Sequence, residues 1–156
     1  MNCKERLEAY LRENKVPFQV VHHPLAYTAQ EVAAAEHVPG KALAKVVMAF
    51  ANGKMVMLSL PAPWRVNLDK AAAALGVKET RLAHEEEFAA AFPDCEVGAM
   101  PPFGNLYDVP VYVDKALTED DTIVFNAGTH TDTISMKYAD FERLVKPIVA
   151  EFGHHL

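Results

Sequence analysis

Leu43-Ala44-Lys45-Val46-Val47-Met48-Ala49-Phe50 and Lys54-Met55-Val56-Met57-Leu58-Ser59-Leu60 are two apolar, β-prone runs flanking Asn52-Gly53. An Asn-Gly pair supplies the two left-handed residues that a tight hairpin turn needs, so the two runs form an antiparallel hairpin. Elements outward from it alternate irregularly. Towards the N-terminus, Arg6 to Lys15 has helical spacing, with Leu7, Tyr10 and Leu11 on one stripe, and Pro17 stops it. Phe18 to Val21 begins a strand, and Thr28-Ala29-Gln30-Glu31 is a capping box for a helix from about Ala29 to Glu36 or His37. Towards the C-terminus, helices are expected at Leu68–Leu75, closed by Gly76, and at Glu85–Phe92, ended by Pro93. Strands follow at Val109–Val113, Thr122–Asn126 and Thr131–Met136, then a closing helix from Tyr138 to about Phe152, kinked at Pro147. An antiparallel hairpin inside such an order excludes a regular βαβ array. The fold class is α+β (α/β mixed), a mixed sheet with helices packed around it.

The 156 residues are enough for one domain, 1–156, with one sizeable core, and 51% apolar with 23% charged residues is ordinary for a soluble protein. Two cysteines, Cys3 and Cys95, make no disulfide framework and no metal-ligand spacing, which points by default to a reducing cytoplasm. No apolar run reaches the ~20 residues of a membrane span, and no secretion signal opens the chain. A net charge of −6 argues against a broad grip on nucleic acid, so DNA is not an expected partner. A small contact with a nucleic-acid end stays open, with Lys41, Lys45, Lys54, Arg65 and Lys137 as candidate phosphate contacts.

Three places can carry chemistry. Lys45 interrupts an otherwise apolar strand, sharing a face with Val47 and Ala49. Its ammonium must reach a cleft, a carboxylate or a ligand, or else snorkel to water at the strand's start. Gly98-Ala99-Met100-Pro101-Pro102-Phe103-Gly104 is an uncharged loop bracketed by glycines. Gly98, Ala99 and Met100 each have an N–H, whereas Pro101 and Pro102 have none and fix φ. Such a loop either offers bunched main-chain donors to a ligand or is a stiff structural corner. His130, in Asn126-Ala127-Gly128-Thr129-His130-Thr131, sits in a small-residue turn, either displayed for chemistry or simply exposed. No nucleophile elbow, phosphate loop or dinucleotide fingerprint occurs, and the histidine spacings give no metal site.

In this order, Lys45 after Pro39-Gly40, the Gly98-x-x-x-Pro102 loop and Gly128-Thr129-His130 resemble the YbaK/prolyl-tRNA synthetase-associated editing domains, the free-standing aminoacyl-tRNA deacylases. The likeness runs from Val16-Pro17-Phe18 to Tyr138-Ala139-Asp140-Phe141. It implies a mixed, barrel-like sheet surrounded by helices, and hydrolysis of mischarged tRNA, most often tRNA for proline, without metal or cofactor. By that resemblance Lys45 helps hold the terminal adenosine end, and the loop amides polarise the ester carbonyl. The terminal ribose hydroxyl helps activate water. Lys45, Gly98 and His130 are the catalytic candidates. Ala99, Met100, Pro101, Pro102, Phe103, Gly128 and Thr129 are the substrate-binding ones, with Met100, Phe103 and His130 as pocket walls. The tRNA acceptor end is the implied partner, and prolyl-tRNA synthetase a further one.

Two departures bear on specificity. Val46 follows Lys45 where the cysteinyl-specific branch tends to have threonine, and the loop lacks that branch's glycine-glycine-rich, Ser-Pro form. The pattern points instead to the branch that clears alanine or another small residue from tRNA for proline. Two rival readings share the fold: a non-catalytic nucleotide or RNA-end binding module, and an adaptor whose Met100-Pro101-Pro102-Phe103 stretch docks on a synthetase.

Overall fold

The computed structural model describes residues 1–23 and 43–155. The expected helix at 29–37, together with Lys41, lies outside the described residues. The hairpin forms as expected: β2 (Ala44–Ala51) pairs antiparallel with β3 (Lys54–Pro61), with Asn52 at φ 50° and Gly53 at φ 82° in the turn. It is the centre of a five-stranded sheet of order β5-β2-β3-β6-β9, where β5 is Thr80–Leu82, β6 is Val111–Asp114 and β9 is Ile148–Ala150. β5 joins β2 antiparallel, whereas β3–β6 and β6–β9 are parallel, so the sheet is mixed. A second, antiparallel sheet runs β1-β8-β7, with β1 Phe18–His22, β7 Thr122–Thr129 and β8 Asp132–Lys137. A single parallel bridge, Leu43 to Val124, ties the start of β2 to β7.

Hydrophobic alternation explains the layers. On β2 and β3, Ala44, Met48 and Met57 face the main core, which they share with Leu7 and Leu11 of α1 (Cys3–Glu13) and with Phe125 and Ile134 of the second sheet. The other face buries Ala49, Val56, Leu58 and Leu60 against Ala71 of α2 (Leu68–Leu75) and Phe152. Both faces of the hairpin are therefore covered, which is why it reads as a nearly continuous apolar run.

Helix ends follow local chemistry. α1 begins at Cys3, three residues before the expected start at Arg6, because Asn2 and Glu5 form a reciprocal capping box, at 2.9 and 3.0 Å. α2 closes on Gly76 at φ 69°. α3 (Glu85–Ala89) is shorter than expected. The expected closing helix to Phe152 is corrected: α4 (Tyr138–Val145) stops at Lys146, which is left-handed at φ 51° before Pro147. Proline cannot donate into the helix and clashes with the carbonyl four residues back, so it terminates this helix rather than kinking it. The freed chain makes β9 and then β10 (Gly153–His155), which pairs with β4 (Trp64–Val66).

The expectation that the two cysteines make no disulfide is also corrected, because Cys3 and Cys95 are bonded across 92 residues of sequence. A count of two gave no reason to pair them; α1 docking beside Asp94, with Cys3 N–H donating to Asp94 O at 2.9 Å, brings them together. Among the described residues no helix is long and apolar enough to cross a membrane.

Two tyrosines make the fold sensitive to alkali. Burial pushes the Tyr107 phenol up to about 12, helped by Asp94 beside it, and burial with the Glu142 charge does the same for Tyr138. The unfolded chain releases these protons near pH 10 and the folded one near pH 12. The stability they contribute is therefore complete below pH 10 and is lost as pH rises from 10 to 12. Thermal melts from pH 9 to 12 are expected to show a Tm flat to pH 10 and falling above it.

Candidate active site

The Gly98–Gly104 loop opens on a tight turn. Ala99 N–H donates to Glu96 O at 3.0 Å, which closes a four-residue turn over Glu96-Val97-Gly98-Ala99. Gly98 has φ 83° while Val97 is not left-handed, so the turn is type II, with glycine where positive φ is required. His130 fixes its orientation. Its backbone N–H donates to Glu96 Oε1 at 3.0 Å and its ring Nε2 meets Val97 O at 2.8 Å. A carbonyl only accepts, so Nε2 carries the proton. The Val97–Gly98 peptide is trans, and holding its C=O on His130 turns the Gly98 N–H to the opposite side.

A bulge in β7 supplies the second clamp. Asn126 pairs with Thr133 and Thr129 with Asp132, which leaves Ala127 and Gly128 without partners on β8. Gly128 N–H then donates to Ala99 O at 2.9 Å, and Gly128 O accepts from Glu96 N–H at 2.9 Å. The first and fourth residues of the turn are thus pinned to one glycine. Gly128, at φ 91°, lies so close to α1 that a Cβ on it would be 2.6 Å from Cys3 Sγ.

This accounting changes which donors are on offer. The Ala99 N–H, expected to bind substrate, is consumed by the turn, and Pro101 and Pro102 have none. Among the described residues the Gly98 and Met100 N–H groups donate to nothing.

Side chains of the loop point the other way. Ala99, Met100 and Phe103 are buried, and the Phe103 ring packs 5.4 and 5.5 Å from Phe125 and Phe141. Met100 and Phe103 are therefore core residues, a correction to their expected place on a pocket wall. Pro101 and Pro102 are buried too, which removes the exposed Met100–Phe103 surface that a synthetase-docking adaptor requires. Thr129 uses its hydroxyl on Asp132 Oδ2 at 2.7 Å, and so shapes the β7–β8 turn. His130, expected in an exposed turn, is only 8% exposed and is a clamp.

Lys45 is joined to this assembly through β7. Lys45 lies two residues beyond the isolated Leu43–Val124 bridge, which ties the start of β2 to the strand that carries Asn126 and Gly128. Burial, and then the nearby Arg65 charge, hold the Lys45 ammonium below the ordinary lysine range. Among the described residues no carboxylate offsets these two effects. Of the other cations named from sequence, Lys54 opens β3 opposite Ala51, at the far end of the hairpin from Lys45. Sequence reading offers no sign of Asn126, whose Oδ1 is buried with no hydrogen-bond partner among the described residues. It likewise gave none of the Glu96 carboxylate on His130. Two concavities among the described residues, about 640 and 380 Å³, lie between α2 and the C-terminal strands and include none of Lys45, Gly98 or His130.

Known proteins resemble this chain over most of its length. The family model of the aminoacyl-tRNA editing domain matches residues 23–144. The multifunctional Ser/Thr-tRNA deacylase ProXp-y of Escherichia coli (strain K12) is 29% identical over 156 residues, covering 95% of this chain and 91% of that protein. A solved structure described as a candidate trans-editing enzyme for prolyl-tRNA synthetase superposes with a TM-score of 0.84 at 21% identity over 97% of each chain. A hypothetical protein of known structure reaches 0.86 at 18% identity, over 96% of this chain and 99% of its own. At those identities the two structures establish the fold alone. With the family model spanning most of its length, the chain belongs to the aminoacyl-tRNA editing domain family, the deacylases of aminoacyl-tRNA.

Proposed function

We propose that the protein acts in trans on mischarged tRNA for proline, hydrolysing the ester to alanine or to another small amino acid such as serine or threonine. The observation that carries this is the pair of unspent N–H groups, Gly98 and Met100, on a turn clamped by His130 and Gly128. An aminoacyl ester is already activated, so no strong nucleophile is needed. As water attacks, negative charge develops on the carbonyl oxygen, and each well-placed donor contributes about 2.7–4 kcal/mol there. The ester C–O bond then breaks, and its electron pair leaves on the ribose oxygen, which takes up a proton. The neighbouring ribose hydroxyl helps orient the water.

Lys45, with Arg65 near it, holds a phosphate of the acceptor end, and Asn126 Oδ1 accepts a hydrogen bond from the terminal nucleotide or the substrate ammonium. His130 is a positioning residue, since its ring is engaged with Val97. Selection is by size, because only small amino acids enter the site.

The test is a panel of tRNA for proline charged with alanine, serine, threonine, cysteine or proline, incubated with the protein and with Lys45→Ala. Hydrolysis of the small non-cognate esters above the uncatalysed rate is expected. Lys45→Ala is expected to raise KM about 10–100-fold with kcat changed less than about 3-fold, since a phosphate contact binds ground and transition states alike. If none of the esters is cleaved, the proposal fails.

A further inference from the structure

Directly behind the turn, Cys3 and Cys95 are joined, and a cavity of about 290 Å³ lined by Asn2, Lys4, Asp94, Gly128 and Thr129 opens onto them. Cys3 is 2% exposed, whereas Cys95 is half-buried and is the sulfur within reach of an incoming thiol. The Tyr107 hydroxyl lies 3.4 Å from each sulfur. Cys95 immediately precedes Glu96, the first residue of the turn.

We propose that this pair is a thiol–disulfide exchange site for low-molecular-weight thiols and disulfides, and that its state sets the order of the Glu96–Met100 donors. In reduction, a thiolate attacks Cys95 Sγ, the Cys3–Cys95 bond breaks, and its electron pair leaves on Cys3 Sγ, which takes a proton. A second thiolate attacks the small molecule's sulfur in the mixed disulfide and releases Cys95 as a thiol. The sum is one protein disulfide and two thiols giving two protein thiols and one small disulfide. Oxidation by a small disulfide is the reverse.

The link to the turn is steric. Two thiol sulfurs cannot remain at bonding distance, since non-bonded heavy atoms sit about 3.5–4.0 Å apart. Cys3 has no room to retreat towards β7, because Gly128 is packed against its Sγ and Cβ. Separation is therefore taken up on the Cys95 side, where the chain enters the turn. The consequence for catalysis rests on the deacylase reading above; the consequence for backbone order does not.

The experiment compares the intact protein after treatment with glutathione disulfide and after treatment with dithiothreitol. Alkylation and mass measurement report the thiols, amide hydrogen exchange covers residues 95–100, and cleavage of alanine-charged tRNA for proline is assayed in parallel. Reduction is expected to speed exchange of the 95–100 segment at least 10-fold. It is also expected to lower kcat/KM about 3–10-fold, both restored by the disulfide. Cys95→Ser is expected to match the reduced protein in either reagent; should it not fold, the two states of the natural chain suffice. Failure of the pair to oxidise, or equal exchange in both states, overturns the proposal. Changed exchange with no cleavage in either state upholds the switch and overturns the deacylase reading.

Discussion

Gly98→Val is expected to lower kcat/KM for aminoacyl ester hydrolysis at least 10²-fold, the cost of losing one donor to a developing oxyanion. The cause is conformational. Gly98 occupies the third position of a type II turn at φ 83°, where a β-branched side chain is strained by about 1–3 kcal/mol. A Cβ at that position would stand 3.6 Å from His130 Cε1, so the valine methyls reach further into the ring that holds Val97. Relieving either conflict rotates the Val97–Gly98 peptide and takes its N–H away from the carbonyl. Gly98→Ala keeps the strain but makes only ordinary contact with His130, so it is expected to fall between the parent and Gly98→Val. Circular dichroism should show both variants folded, since Gly98 is exposed and contributes nothing to the core. If Gly98→Val hydrolyses the ester at the parent rate, the turn is a structural corner and the donors are elsewhere.

The hairpin, α2 with its glycine stop, and the strands β6, β7 and β8 were legible because each depends on local signals: an Asn-Gly turn, a glycine after an alanine-rich helical stretch, β-prone apolar runs. That the loop bunches main-chain donors ahead of two prolines can also be read without coordinates. What could not be read was how those donors are spent. Ala99 N–H is lost to a turn whose partner is Glu96 O, and Ala99 O and Glu96 N–H go to Gly128, about thirty residues away in sequence. Sequence likewise shows that Met100 and Phe103 are apolar, but not that the turn aims them into the core and leaves only main chain outward. The closing helix was misjudged for a local reason: Pro147 follows a left-handed Lys146, which ends a helix, whereas a kink needs the residue before proline to stay helical. Long-range docking of α1, which pairs Cys3 with Cys95, leaves no trace in a cysteine count.

The second large effect concerns Gly128, where one residue serves packing and catalysis together. A Cβ there would lie 2.6 Å from Cys3 Sγ, 2.8 Å from Cys3 Cβ and 3.3 Å from Lys4 N, on a residue already at φ 91°. Cys3 Sγ is not the free end of a flexible chain, since it is bonded to Cys95, so the start of α1 must shift. Overpacking of this kind costs about 1–3 kcal/mol, and the left-handed backbone adds about 1–2 kcal/mol for a residue other than glycine. Gly128→Ala is therefore expected to lower the unfolding free energy by about 2–5 kcal/mol, read as a lower urea midpoint at unchanged slope. Ester hydrolysis should fall further than folded fraction explains, because the same glycine pins Glu96 and Ala99. Cys3→Gly removes both clashing side-chain atoms but also the disulfide, so the double variant should lose less stability than the sum of the two single variants. A favourable coupling in that double-mutant cycle ties the bulge to α1. A Gly128→Ala protein as stable and as active as the parent would mean that neither the contact with Cys3 nor the clamp on the turn matters.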